Sequence, residues 1–395
     1  NASTVSVEKD LEGVTYKKGQ EITLLELCDI IDNIDNAFDK YFEEAKINKP
    51  RAKRMCGYTT WYNYYTSVTE EIVERDLEAI AKLGSKIDIF QVDDGYERTV
   101  GDWLYHDEKK FPSGMKLIAD NIHKHDMLAG LWLAPFAATP KSYIYNKHKD
   151  WFVKNKNGKI PFASHNWGGF YALDIYNNEV RQYLKEVFDT VLNVWGYDMV
   201  KLDFLYACCI IPFNGKSRGE IMCDAMDLIR ELCGDKLILG CGVPLAPAFG
   251  KVDFCRIGAD MALSWGKKPF SREDVSTKHA LLNTIFRREL DGRAFLNDPD
   301  VFLLRDNNIK MSFEQRKLIA ETASLFGNLL FVSDDVSTYN NNQKDCFINV
   351  TTRNKADINY VNMDSDGDIS IKYTLDGEKK GYCFNINSGD KKVLI

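Results

Sequence analysis

Histidine is scarce in this chain: six among 395 residues, none at the polar end of an apolar segment. Metal-dependent barrels usually draw on several histidines, so no metal is expected. Cations are outnumbered as well, 51 Lys and Arg against 58 Asp and Glu, for a formal charge of -7. Without a basic stripe to neutralise phosphates, nucleic acid is excluded as a partner. No apolar run approaches the roughly 20 residues of a membrane span. The N-terminus lacks a charged region followed by an apolar one. A phosphate loop is missing too, because Gly240–Gly242 and Trp167–Gly169 lack the strand–loop–helix spacing, so no nucleotide cofactor is indicated. The ten cysteines are spread widely, with Cys208, Cys209, Cys241 and Cys255 inside apolar segments. They read as buried free thiols of a reducing, cytoplasmic setting rather than as a disulfide framework. A soluble globular protein with a neutral small-molecule ligand is expected.

What is present is an alternation of short apolar runs with amphipathic stretches, beginning near residue 52, as a parallel α/β fold requires. Eight runs stand out, at 54–61, 86–94, 127–136, 198–206, 236–242, 252–260, 292–300 and 327–335. Helical patterns fall between them at 69–84, 178–196, 220–232, 277–290 and 312–327. Eight strands close a (β/α)8 barrel, a TIM barrel. The long aromatic connection from 136 to 178 reads as a lid or binding loop. After residue 335 the segments DCFINVTTR, INYVNMD, ISIKYTLDG and KKGYCFNIN alternate with turn residues, which predicts a small antiparallel β domain. The expected division is 1–50 as one or two strands and a linker helix, 51–338 as the barrel and 339–395 as the C-terminal β domain.

Most of the eight runs end in polar, acidic or aromatic residues: Trp61, Asp93 and Asp94, Trp132, Lys201 and Asp203, Cys241, Arg256 and Asp260, Asp298 and Asp300, Asp334 and Asp335. The C-terminal strand ends of such a barrel are where active sites are built. For Asp298, Asp300, Asp334 and Asp335 the preferred reading is helix capping or a side-chain turn. Strand periodicity turns Lys201 and Asp203 to one side, and likewise Arg256, Gly258 and Asp260, so that a cation accompanies each carboxylate. Two carboxylates with separately tuned ionisation are the equipment of a retaining glycosidase, one attacking the anomeric carbon and the other acting as acid and then base. The plainer alternative is a pair of structural ion pairs. Trp61 and Trp132 suit the apolar face of a sugar. Asp93 and Asp94 bind either sugar hydroxyls or a metal, and the poverty in histidine disfavours the metal. His123 and His125 read as surface residues. Cys241 has no histidine near it in sequence to activate it as a nucleophile.

From about residue 54 to 340 the chain resembles glycoside hydrolase family 36, the melibiase-like α-galactosidases, and more distantly family 27. The ordered motifs that carry this are GYTTWYNYY, FQVDDGYERTVGDWL, FPSGMKLIADNIH, GLWLAPF, YALDIYNNEVRQYLKEV, MVKLDFLY, GCGVPLAPAFGKVDFCRIGAD and LNDPDVFLLR. The resemblance implies that Asp203 is the nucleophile and Asp260 the acid/base. It implies that Asp93 and Asp94 hold the axial and primary hydroxyls of galactose, with Lys201, Arg256, Trp61 and Trp132 around them. Cys241 and Gly242 would then lie on the C2 side. It also implies a β-sandwich ahead of the barrel, of which residues 1–50 would carry the final strands. Two positions depart from the family pattern, Tyr96 where many relatives have Trp, and Ala259 within RIGAD. The readings that stay open are an α-N-acetylgalactosaminidase, a galactosyl transferase of the raffinose-synthase type and a non-catalytic sugar-binding barrel. Oligomeric state is not legible in the sequence.

Overall fold

Strands buried on both faces are largely apolar, and eight such segments of the computed structural model form the barrel, with Gln91, Lys201, Arg256, Asn297 and Asp298 among the buried polar exceptions. The structure describes Thr4 and residues 6–266 and 275–394. In chain order the strands are β1 (Met55–Thr59), β2 (Ile89–Val92), β3 (Leu128–Leu133), β4 (Met199–Leu202), β5 (Leu237–Gly240), β6 (Phe254–Arg256), β7 in two pieces (Leu296–Asp298 and Val301–Phe302) and β8 (Leu329–Val332). All neighbours pair in parallel, from β1–β2 round to β6–β7. The first piece of β7 pairs with β6 (Asp298 opposite Arg256), the second with β8 (Val301 opposite Phe331), and β8 pairs with β1. The ring is thus closed by a strand broken at Pro299 and Asp300, where a proline cannot donate to a ladder. The eight strands expected from sequence are all present and shorter than the expected segments, except that the second piece of β7 lies beyond the expected limit at residue 300.

The intervening helices begin at residues that can cap them. Thr69, Asn177, Ser276 and Asn340 each accept a backbone N–H of the first turn, and Ser217 with Glu220 and Ser312 with Gln315 form reciprocal capping boxes. Helix Asn178–Asp189 passes into a wide turn, Thr190–Val194, in place of the uninterrupted helix expected to 196. The loop from 136 to 178 builds a three-stranded antiparallel sheet of Ala137–Ala138, Phe162–Ser164 and Phe170–Ala172. At the C-terminus four antiparallel strands, Asp357–Met363, Asp368–Leu375, Glu378–Asn385 and Lys391–Val393, form a meander.

Two expectations are corrected. The segment 345–353, read as a strand, is helical up to Thr352 as part of helix Asn341–Thr352, which follows β8. Its β-branched residues mimic strand composition, but the capping box of Asn340 and Gln343 starts a helix, and Cys346, Phe347 and Val350 line its buried face. Among the described residues before 34 there is neither strand nor helix, and the linker helix is confined to Ile34–Glu44. That helix is anchored by Phe42, whose ring meets Phe249 at 5.2 Å, and by Arg293, which reaches Asp39 at 2.6 Å.

Arg305 closes the last two barrel strands chemically. It is almost wholly buried, and its guanidinium bonds Asp334 Oδ1 (3.0 Å), the Ser333 carbonyl (2.8 Å) and the Tyr62 carbonyl (2.9 Å). Arg305→Met leaves the buried Asp334 carboxylate without its cation and is expected to cost about 3–5 kcal/mol in urea unfolding. Arg305→Met with Asp334→Leu should recover only the part due to the unpaired charge, because Asp334 Oδ2 also accepts from the Leu304 and Arg305 N–H groups and from Tyr339 Oη. A single variant as stable as the parent would refute the account.

Candidate active site

Parallel strands deliver their C-terminal ends to one mouth of the barrel, so the loops after β1 to β7 meet there. Asp93 follows β2, and four groups of the barrel wall converge on it. Its Oδ2 accepts from Lys201 Nζ (2.8 Å), Gln91 Nε2 (2.7 Å) and Thr59 Oγ1 (3.3 Å), and Thr60 Oγ1 receives its N–H (3.0 Å). Lys201 is therefore the partner of Asp93 rather than of Asp203. Burial works against the ammonium, but the Asp93 charge outweighs it and holds Lys201 above the usual lysine range.

Asp203 lies one residue beyond β4. Its Oδ2 accepts from Trp132 Nε1 (3.3 Å) and its Oδ1 from the Phe204 N–H (2.7 Å). The register that sets Trp132 opposite Lys201 brings these residues together. Burial raises the Asp203 carboxyl above the ordinary range; Lys201 opposes this and the Asp260 carboxylate reinforces it. The two acids thus share one electrostatic field, although Asp260 is four residues past the end of β6. Strand periodicity does not place Asp260. The chain curls back so that Arg256 Nη1 meets its Oδ1 at 2.8 Å.

Arg256 is the second convergence. Besides Asp260 it reaches Asp300 Oδ1 through Nη2 (2.6 Å) and Asp298 Oδ2 through Nε (3.4 Å). Asp298 does make the turn expected of it, its Oδ1 accepting the Asp300 N–H at 2.9 Å. Asp300, assigned from sequence to a turn, belongs instead to the site, with Tyr62 Oη at 2.5 Å from Oδ2. Burial pushes Asp300 up to about 6, with Arg256 opposing and Asp260 adding to the rise. Asp334 and Asp335 serve structure: Asp334 pairs with Arg305, and Asp335 accepts the Ser337 N–H at 3.1 Å.

Aromatic rings form the upper wall. Trp167, from the long loop, donates Nε1–H to Asp94 Oδ2 (2.8 Å), and its ring lies 5.9 Å from Trp132 and 4.7 Å from Phe204. Asp94 is raised by burial, and beside it the carboxyl of the buried Glu97 is pushed well above the ordinary range by burial and by the Asp94 charge. Trp61 opens the short helix after β1 and lines a small cavity with Lys201, Arg256 and Asp300. Cys241 is buried one residue beyond β5, and burial pushes its thiol well up, which makes it a poor nucleophile. Trp167, Tyr62, Glu97 and Asp300 were not singled out from sequence as ligands. The aromatic loop and the WY pair at 61–62 were their visible traces. His123 lies apart from this mouth, bonded to Asp198 at 2.7 Å.

All ten cysteines are free. Among the described residues no three His, Cys, Asp or Glu are grouped to hold a metal ion, and no helix is long and apolar enough to cross a membrane.

Gly242 has φ +54, and a Cβ there would lie 2.8 Å from the Phe204 nitrogen and 2.9 Å from Asp203 Oδ1. Gly242→Ala is expected to lower unfolding free energy by about 1–2 kcal/mol from the left-handed backbone alone. It should also displace the Asp203 carboxylate from Trp132. Denaturant unfolding and the Trp132 indole N–H resonance measure the two effects, and an unmoved resonance would contradict the packing described.

A melibiase family model matches residues 22–216. Among curated relatives, the α-galactosidase of Escherichia coli is 23% identical over 239 residues, 58% of this chain and 32% of that enzyme. Mel36A of Lactobacillus acidophilus, also an α-galactosidase, is 29% identical over 183 residues, 44% of this chain and 24% of its own length. The chain thus spans about a third or less of these relatives. The solved structure of TtGalA, an α-galactosidase from Thermus thermophilus, in complex with stachyose is 30% identical with a TM-score of 0.72, covering 80% of this chain and 68% of that one. Its complex with p-nitrophenyl α-D-galactopyranoside gives a TM-score of 0.75 at 29% identity, covering 87% of this chain and 69% of that one. The barrel, the order of its strand-end residues and these similarities agree, and the chain belongs to the melibiase family.

Proposed function

We propose that this protein is a retaining glycoside hydrolase that releases terminal α-linked galactose by double displacement. What supports the reading is that Asp203 and Asp260 each follow the C-terminal end of a parallel barrel strand and have different partner sets. Asp203, held by Trp132 and the Phe204 amide, is the nucleophile. Hydrogen bonds to an ionised carboxylate favour the charged form that must attack, and Lys201 works in the same direction. Asp260 is the more exposed acid, its side chain 48% accessible, in reach of a departing oxygen and then of the incoming water.

The remaining residues bind the sugar in this reading. Asp93 and Asp94 take the axial and primary hydroxyls, and Trp61 and Trp132 offer indole faces to its C–H side. Lys201 and Arg256 complete that subsite, with Cys241 and Gly242 at C2. The substrate is a neutral α-galactoside, and the chemistry needs no cofactor. TtGalA, solved with stachyose and with a nitrophenyl α-galactoside, supports this substrate class.

Hydrolysis of nitrophenyl α-galactoside, set against its β and α-gluco counterparts, tests the specificity. Activity on the α-gluco or β-galacto compound alone would overturn it. Asp203→Ala is expected to abolish turnover, and azide should then yield β-galactosyl azide by a single inversion. Asp260→Ala should retain glycosylation by the activated aryl substrate, lose alkyl galactosides by about 10²-fold or more, and give the α azide after two inversions. The opposite stereochemistry in the two variants would exchange the roles.

A further inference from the structure

A group that hands a proton to a leaving oxygen must sit within hydrogen-bond reach of it, yet Asp260 is carried by a stretch, residues 257–263, with neither helix nor strand. Such segments open easily unless they are tied down. Two ties converge on one residue. On the side-chain side, Arg256 bridges Asp260 Oδ1 (2.8 Å) and Asp300 Oδ1 (2.6 Å). On the backbone side, the N–H of Met261, the residue after Asp260, donates to Asp300 Oδ2 at 2.6 Å. Tyr62 Oη donates to that same oxygen at 2.5 Å and lies 3.1 Å from the Met261 nitrogen.

Asp300 is well placed to be the fixed end. It is 1% exposed and stands between the two pieces of β7, and its own N–H is taken by Asp298. Its φ of +80 is a conformation that a non-glycine residue holds only where its surroundings impose it, and such residues gather at functional sites. We infer that Asp300 is a positioning residue that clamps Asp260 from both sides, through Arg256 and through the Met261 amide. The inference rests on the reading of Asp260 as the acid/base.

Asp300→Asn keeps shape and volume but cannot keep both ties. Whichever way the amide turns, its NH2 faces an obligatory donor, either Arg256 Nη2 or the Met261 N–H. A merely structural role would lower activity on all substrates together. The clamp instead predicts a loss that depends on the leaving group. With Asp300→Asn, kcat/KM for melibiose should fall about 10–100-fold more than for dinitrophenyl α-galactoside, whose leaving group departs without a proton. Amide hydrogen exchange over 257–264 should rise while that over β5 stays unchanged. Tyr62→Phe removes one donor and retains the Asp300–Arg256 pair, so it should move both readouts the same way by less. It serves for both if Asp300→Asn fails to fold. Equal losses on the two substrates, or unchanged exchange over 257–264, would overturn the clamp. A parent protein inactive on every α-galactoside would instead overturn the proposed function, and hydrogen exchange would still decide whether Asp300 ties down this loop.

Discussion

Arg256 is a cation buried in the barrel wall, and burying a charge is tolerated only when partners compensate for its lost hydration. Asp260, Asp298 and Asp300 supply that compensation from two successive strand–loop units. The requirement runs both ways, because Asp298 and Asp300 are themselves almost wholly buried and would be untenable as anions without the guanidinium. The end of β6, the break in β7 and the loop after β6 are thereby held in one arrangement. The geometry of the mouth follows from this electrostatic constraint more than from the apolar packing beneath it.

A second buried pair, Lys201 with Asp93, ties β4 to the end of β2. Each pair leaves a neighbouring carboxylate without a cation of its own. Lys201 attends to Asp93 and so leaves Asp203 bonded by an indole and a backbone amide. Arg256 is shared, so Asp260 keeps an exposed edge. Two acids of the same type thus stand in unlike surroundings. The aromatic loop adds low-dielectric walls, with Trp167 bonded to Asp94 and tilted against Phe204.

The barrel and most of its mouth were legible in the sequence because they rest on local rules. Apolar runs such as MVKL and LLFV, buried on both faces, announce parallel strands, and the first polar residues after them must lie at one end. Trp61, Asp93, Asp94, Trp132, Lys201, Asp203, Cys241 and Arg256 were expected there in that way, and they stand at or just past the C-terminal ends of their strands. Periodicity failed where the strand had already ended. Asp260 is near Arg256 by the path of a loop, and Lys201 turned to Asp93 across the barrel rather than to its neighbour in sequence. Helix Asn341–Thr352 was missed because β-branched composition spoke louder than its capping box.

The sequence by itself therefore determined the fold class, the number and order of the barrel strands, and which residues stand at their ends, since each depends on hydrophobic pattern over a few residues. Only the tertiary structure decided which cation answers which carboxylate, that Trp167 covers Asp94, and that Asp300 joins the site through Arg256, Met261 and Tyr62. The Tyr62–Asp300 pair is 238 residues apart in sequence, and no local pattern encodes a choice among several acids of equal type. Distance and burial make that choice, and they exist only once the barrel has closed.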